Sequence, residues 1–121
     1  MTFCTFETSS LLEKGKVVQQ TGSSVEYNTS TSQNRIVGII SDSYQDPDSL
    51  KYYAKVHLGG GVCYGIISSD WDGLWSPLTV DGDKIKAAGG DDQFHGYLIP
   101  NLPPVPQTAG QLCAIYWRGV I

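Results

Sequence analysis

Lys51-Tyr52-Tyr53-Ala54-Lys55-Val56-His57-Leu58, then Gly59-Gly60-Gly61, then Val62-Cys63-Tyr64-Gly65-Ile66-Ile67-Ser68 is the stretch that decides the fold class. In the first run Tyr53, Lys55 and His57 fall on one face, and Tyr52, Ala54, Val56 and Leu58 on the other. Side chains alternate across a strand, so this pattern predicts a half-buried antiparallel strand. The three glycines predict a tight reversal, because glycine adopts positive φ without steric cost. The run over residues 62–68 predicts the next strand.

Outward from this stretch the same grammar repeats. Residues 16–20, centred on Val17 and Val18, and residues 25–28 read as strands about a Thr21-Gly22-Ser23-Ser24 turn. Residues 29–33 read as polar loop, and Asn28-Thr29-Ser30 matches a glycosylation sequon that carries little weight in a chain lacking a secretion signal. Arg-Ile-Val-Gly-Ile-Ile-Ser over residues 35–41 is nearly continuously apolar, as in a strand covered on both faces, and Gly38 inside it implies a bulge or close backbone approach. Val37-Gly38-Ile39-Ile40-Ser41 is echoed by Tyr64-Gly65-Ile66-Ile67-Ser68. With two copies and no longer period, the echo indicates shared local chemistry rather than a repeat architecture. Residues 69–82 are turn-rich. Further strands are expected over residues 83–88, 94–100 and 111–118, with an extended proline connector at 100–106. The expected fold is all-β, a small barrel or sandwich of about eight short strands, with residues 1–14 as an extended N-terminal arm and 15–121 as the domain.

Composition agrees. The 121 residues include 14 Gly, nine Val and nine Ile but only five Ala, and 17% are charged. Helical bundles are thereby disfavoured. A net charge of −4 with only eight Lys and Arg argues against nucleic acid. No apolar run is long enough for a transmembrane helix, and Met1-Thr2-Phe3-Cys4 does not resemble a signal peptide. Cys4, Cys63 and Cys113 form no metal-type pair or disulfide framework, and read as reduced thiols in a cytosol-made protein.

Candidate chemistry is sparse. Cys63 and His57 flank the glycine turn, which would place them on adjacent strands, but a packed small hydrophobe accounts better for the cysteine. His57 and His95 lack companion ligands. Asp70-Trp71-Asp72-Gly73 has the opening of a calcium loop without its closing acid. No acid, base and nucleophile converge, so neither catalysis nor a metal or cofactor is expected. The aromatics are more informative. Trp71, Trp75 and Tyr97 stand out as interface or sugar-stacking residues, against the alternative that all the aromatics pack internally.

The order of segments resembles that of phage capsid decoration (head cement) proteins, small β-barrels bound to the assembled head. It is carried by Gly-Lys-Val-Val at 15–18, the strand at 35–41, and Gly-Gly-Gly-Val-Cys-Tyr-Gly-Ile-Ile at 59–67. Asp-Gly-Asp-Lys-Ile at 81–85 and Gly-Tyr-Leu-Ile at 96–99 complete it. The resemblance implies a structural virion protein without enzymatic activity. It would act as a homotrimer on the outside of the capsid, with the major capsid protein as partner, clamping neighbouring capsomers. It further implies that the arm lies on the capsid through Phe3, Thr5, Phe6 and Thr8. The uncharged, β-capable composition of residues 1–14 suits that use. The rival expectation is a glycan- or receptor-binding module of a phage tail or fibre.

Overall fold

The computed structural model describes residues 2–29 and 35–119. Most of the loop expected at 29–33, and Ser30 of the sequon, lie outside the described residues. Among those residues there is no helix, and hence none long and apolar enough to cross a membrane. The fold is all-β: two five-stranded antiparallel sheets forming a small sandwich rather than a closed barrel.

The first sheet comprises β1 (Thr2–Thr8), β2 (Val17–Thr21), β3 (Ser24–Tyr27), β4 (Ile36–Gln45) and β5 (Tyr52–Gly59), ordered β1-β5-β4-β2-β3. The second comprises β6 (Gly61–Ile66), β7 (Ser76–Asp81), β8 (Lys84–Ala87), β9 (Gly96–Leu98) and β10 (Leu112–Trp117), ordered β6-β10-β9-β7-β8. Advancing each strand of the first order by five gives the second, so the chain is two units of one topology. Registers agree as well. In the β2–β3 hairpin Val18 faces Tyr27 and Thr21 faces Ser24. In the β7–β8 hairpin Leu78 faces Ala87 and Asp81 faces Lys84, every number higher by 60. Cys4 and Phe6 face Val56 and Ala54, while Cys63 and Gly65 face Ile115 and Cys113, every number higher by 59. The sequence reading of no repeat is therefore corrected. The echo that suggested one pairs residues of β4 and β6, which are not equivalent. Structural equivalents share roles in packing and seldom identity.

Two further expectations change. Residues 59–61 do not make a hairpin. β5 pairs with β1 and β4, and β6 pairs with β10, so the glycines join the two units. Gly59 has φ +149° and a Cβ there would lie 2.6 Å from the Arg118 carbonyl oxygen, so a close crossing of backbones requires the glycine. The expected arm is also different: β1 pairs with β5 along its whole length, and Phe6 packs into the first unit's core. Its Ser and Thr content masks this, because an edge strand buries only part of one face.

Equivalent positions build the two cores. Val18, Val25, Ile40, Ala54, Val56 and Leu58 fill the first unit. Leu78, Ile85, Leu98, Cys113, Ile115 and Trp117 fill the same places in the second. Phe6 corresponds to Gly65, and the space is exchanged between neighbours. A Cβ at Gly65 would lie 2.7 Å from Ile85 Cδ1 and 3.3 Å from Ile115 Cδ1. In the first unit those neighbours are Val25 and Val56, each one methylene smaller, and the Phe6 ring supplies the bulk. Close packing at near-crystalline density demands such compensation.

The units are fastened together by backbone and side chain. Val17 N–H donates to the Asp83 carbonyl (2.8 Å), Ile66 N–H to that of Gly15 (3.1 Å), and Asn28 Nδ2 to that of Gly82 (2.7 Å). Lys16 Nζ pairs with Asp83 at 2.8 Å, and this partner raises the lysine pKa. Val17, Ile36 and Ile39, on the face of the first sheet opposite Val18, Val25 and Ile40, join the second unit's core cluster.

Candidate binding surface

Of the aromatics singled out in the sequence, Trp75 and Tyr97 come together and Trp71 does not join them. Trp71 is buried, its indole N–H donating to the Leu74 carbonyl at 2.9 Å. It is a core residue that anchors the turn carrying Leu74 and Trp75, which corrects its reading as an interface residue. Trp75 is 58% exposed and stacks on Tyr97 with centroids 5.2 Å apart and planes at 28°. Tyr97 in turn meets Phe94 edge-on at 5.0 Å. Arg118 covers the Phe94 ring at 4.6 Å and donates to the Phe94 carbonyl. Such stacked and edge-on contacts fix ring orientation without further burial.

The turn at 70–75 is braced against the proline connector. Trp71 and Gln107 exchange backbone hydrogen bonds of 3.0 and 2.9 Å, and a Cβ at Gly73 would collide with the Val105 carbonyl. Asp70 accepts from Ala109 N–H and Asp72 from Leu74 N–H, so the carboxylates that suggested a calcium loop bind turn amides instead. The two loops carry Leu74, Trp75, Leu102 and Val105, all exposed, with Leu102 at 92%. The proline segment gave no functional signal in the sequence; its apolar tips become informative only beside Trp75.

The arm residues divide by the alternation of β1. Phe3 and Thr5 point away from the first core, whereas Phe6 faces it and Thr8 is buried, its hydroxyl donating to Ser10 O at 2.9 Å. Phe3 packs edge-on against His57 at 5.0 Å, with Lys55 Nζ 4.5 Å from its ring centroid.

His57 and Cys63 both line a cavity of about 190 Å³ at the junction of the sheets, on strands of different sheets rather than adjacent ones. His57 is fully buried, and neither ring nitrogen has a hydrogen-bond partner among the described residues. Burial lowers its pKa and pushes the Cys63 thiol up to about 12. A thiol so held is protonated at neutral pH and inert as a nucleophile. His95 is buried as well, stacked on Trp117 at 5.6 Å, with Nδ1 3.2 Å from the Gly119 carbonyl oxygen.

Against protein-family models, curated proteins and solved structures, the chain gives no match.

Proposed function

We propose that this protein is a structural, non-enzymatic component of a phage virion that binds the outside of the capsid and clamps neighbouring capsomers. The major capsid protein is its partner in this reading. The observation that carries it is the exposure of four large apolar side chains, Leu74, Trp75, Leu102 and Val105, on two loops tied to each other through Trp71 and Gln107. Rigid presentation of large apolar side chains lowers the entropy lost on docking to a macromolecule. The capsid as partner follows from the resemblance in segment order.

The test is sedimentation with undecorated heads. Co-sedimentation is expected, lost in a Trp75→Ser, Leu102→Ser double variant that keeps its fold. Failure to co-sediment across a range of salt concentrations overturns the proposal. The Trp75–Tyr97 stack favours one second reading, a sugar platform of a tail or fibre module, since the free face of Trp75 is open to solvent. Retention on immobilised host polysaccharide, abolished by Trp75→Ser, would support that reading.

A further inference from the structure

Across the face of the first sheet that meets the second unit the register aligns one residue from each of four strands: Phe3, His57, Ile39 and Val17. Across the second sheet the equivalent row is Val62, Tyr116, Tyr97 and Pro77. Gly38 and Gly96 mark the same place beside each row. A Cβ at Gly38 would collide with the His57 carbonyl oxygen, and one at Gly96 with that of Tyr116. The two rows differ in burial at three of their four positions, the edge residue Phe3 being 37% exposed. His57, Ile39 and Val17 are at most 1% exposed, sealed by the second unit through β6 and the β7–β8 turn. Val62 and Tyr116 are 52% and 37% exposed, Pro77 is exposed, and Tyr97 is half-buried. Tyr64 and Leu112, both exposed, extend the apolar face, whose Val62 and Tyr64 also border the junction cavity beside Phe3 and His57 and whose Tyr97 is partly covered by Trp75.

We infer that this second row is a self-association surface, covered by the first unit of another copy of the chain. The occupant follows from continuity with the interface inside the molecule. The first row is covered by a unit of this same topology, and the only such unit left to cover the second row belongs to another copy. That copy would present β1 and its Thr21–Ser24 turn, the equivalents of β6 and the Asp81–Lys84 turn. The Gly22 turn is open, with nothing within 4 Å of where its Cβ would be, whereas the Gly82 turn is occupied by Asn28. The contact between copies is more apolar than the one within the chain. Where the first unit donates Val17 N–H and Asn28 Nδ2, the second has Pro77 and Ala88, which supply neither donor. The association is therefore expected to be reversible. Face meets a different face, so the contact is heterologous and closes into a ring or runs on as a filament. None of this depends on the capsid reading, because it is measured on the protein alone.

The test is sedimentation velocity over a concentration series, with Tyr116→Lys as the variant and Val62→Asp as a second should the first fail to fold. Wild type is expected to associate as concentration approaches about 100 µM. The variant is expected to stay monomeric with a melting temperature within roughly 2 °C of wild type. A wild type monomeric throughout, or a folded variant that still associates, overturns the inference. The faces are read by Pro77→Cys with a short bis-maleimide. A covalent dimer that disappears on Cys4→Ser supports β1 of the second copy as the cover. A dimer that persists in the Cys4→Ser background joins the two Pro77 faces and refutes it.

Discussion

The exchange of volume between Phe6 and Gly65 makes a prediction whose sign depends on background. Phe6→Ala removes a half-buried ring from the first core. Full burial of a phenylalanine is worth roughly 3–5 kcal/mol on truncation, so a half-buried one costs about 2 kcal/mol. Val25→Ile and Val56→Ile install the pair that the second unit uses beside Gly65. Each added methylene contributes about 0.8 kcal/mol if there is room for it. In the Phe6→Ala background there is room, and the pair should restore most of the loss. In wild type the ring already fills that space, and the same pair should destabilise by about 1–3 kcal/mol through overpacking. The coupling is thus about 3–5 kcal/mol, at or above the upper end for residues in contact. The assay is urea unfolding of all four proteins in the cycle, followed by far-UV circular dichroism and tryptophan fluorescence. All three tryptophans lie in the second unit, so coincident curves also show that the units unfold together. If the isoleucine pair destabilises both backgrounds equally, the equivalence of the two cores is refuted.

Other predictions follow from single features. Gly38→Ala should cost more than about 2 kcal/mol or prevent folding, because its neighbour is the His57 backbone, whereas Gly22→Ala, at φ +60° in open space, should cost about 1 kcal/mol; urea midpoints distinguish them. Burial lowers the pKa of His57 and of His95, so the unfolded chain takes up protons first as pH falls. Stability should be level above the ordinary imidazole value near 6.5 and decline below it, and His57→Leu should flatten that decline, read as urea midpoints between neutral and mildly acidic buffer. Cys4 is exposed while burial raises both Cys63 and Cys113, so a thiol reagent should modify one cysteine rapidly in the folded protein and all three in denaturant. Rapid native labelling of Cys63 would contradict its burial.

What could be read in advance follows from how locally each element is encoded. β5 was legible because Ala54 and Val56 alternate with Tyr53 and Lys55, and the β2–β3 turn because Gly22 takes a left-handed conformation. β7 was hidden by Pro77 at its second residue, which suggests a break; there the carbonyl still accepts from Ala88 N–H, while the missing donor is tolerated near the strand end. β1 was hidden because a mostly exposed edge strand needs few apolar residues. The duplication was illegible because substitutions such as Leu58 to Trp117 and His57 to Tyr116 preserve position and discard identity. The binding surface was half legible. Trp75 and Tyr97 were marked by residue type, but nothing local distinguishes them from Trp71, whose indole turns inward to the Leu74 carbonyl.

The crossing at Gly59 has a topological consequence. Thr2 pairs with Gly59, and Arg118 packs against that same glycine. Both ends of the described chain thus meet at the joint between the units. A circular permutant opened at Gly60, with residue 119 linked back to residue 2, would reverse the order in which the units are synthesised. Every strand pairing would be left in place. The molecule therefore has no structural first half, only two interlocked units and a choice of where the backbone is cut.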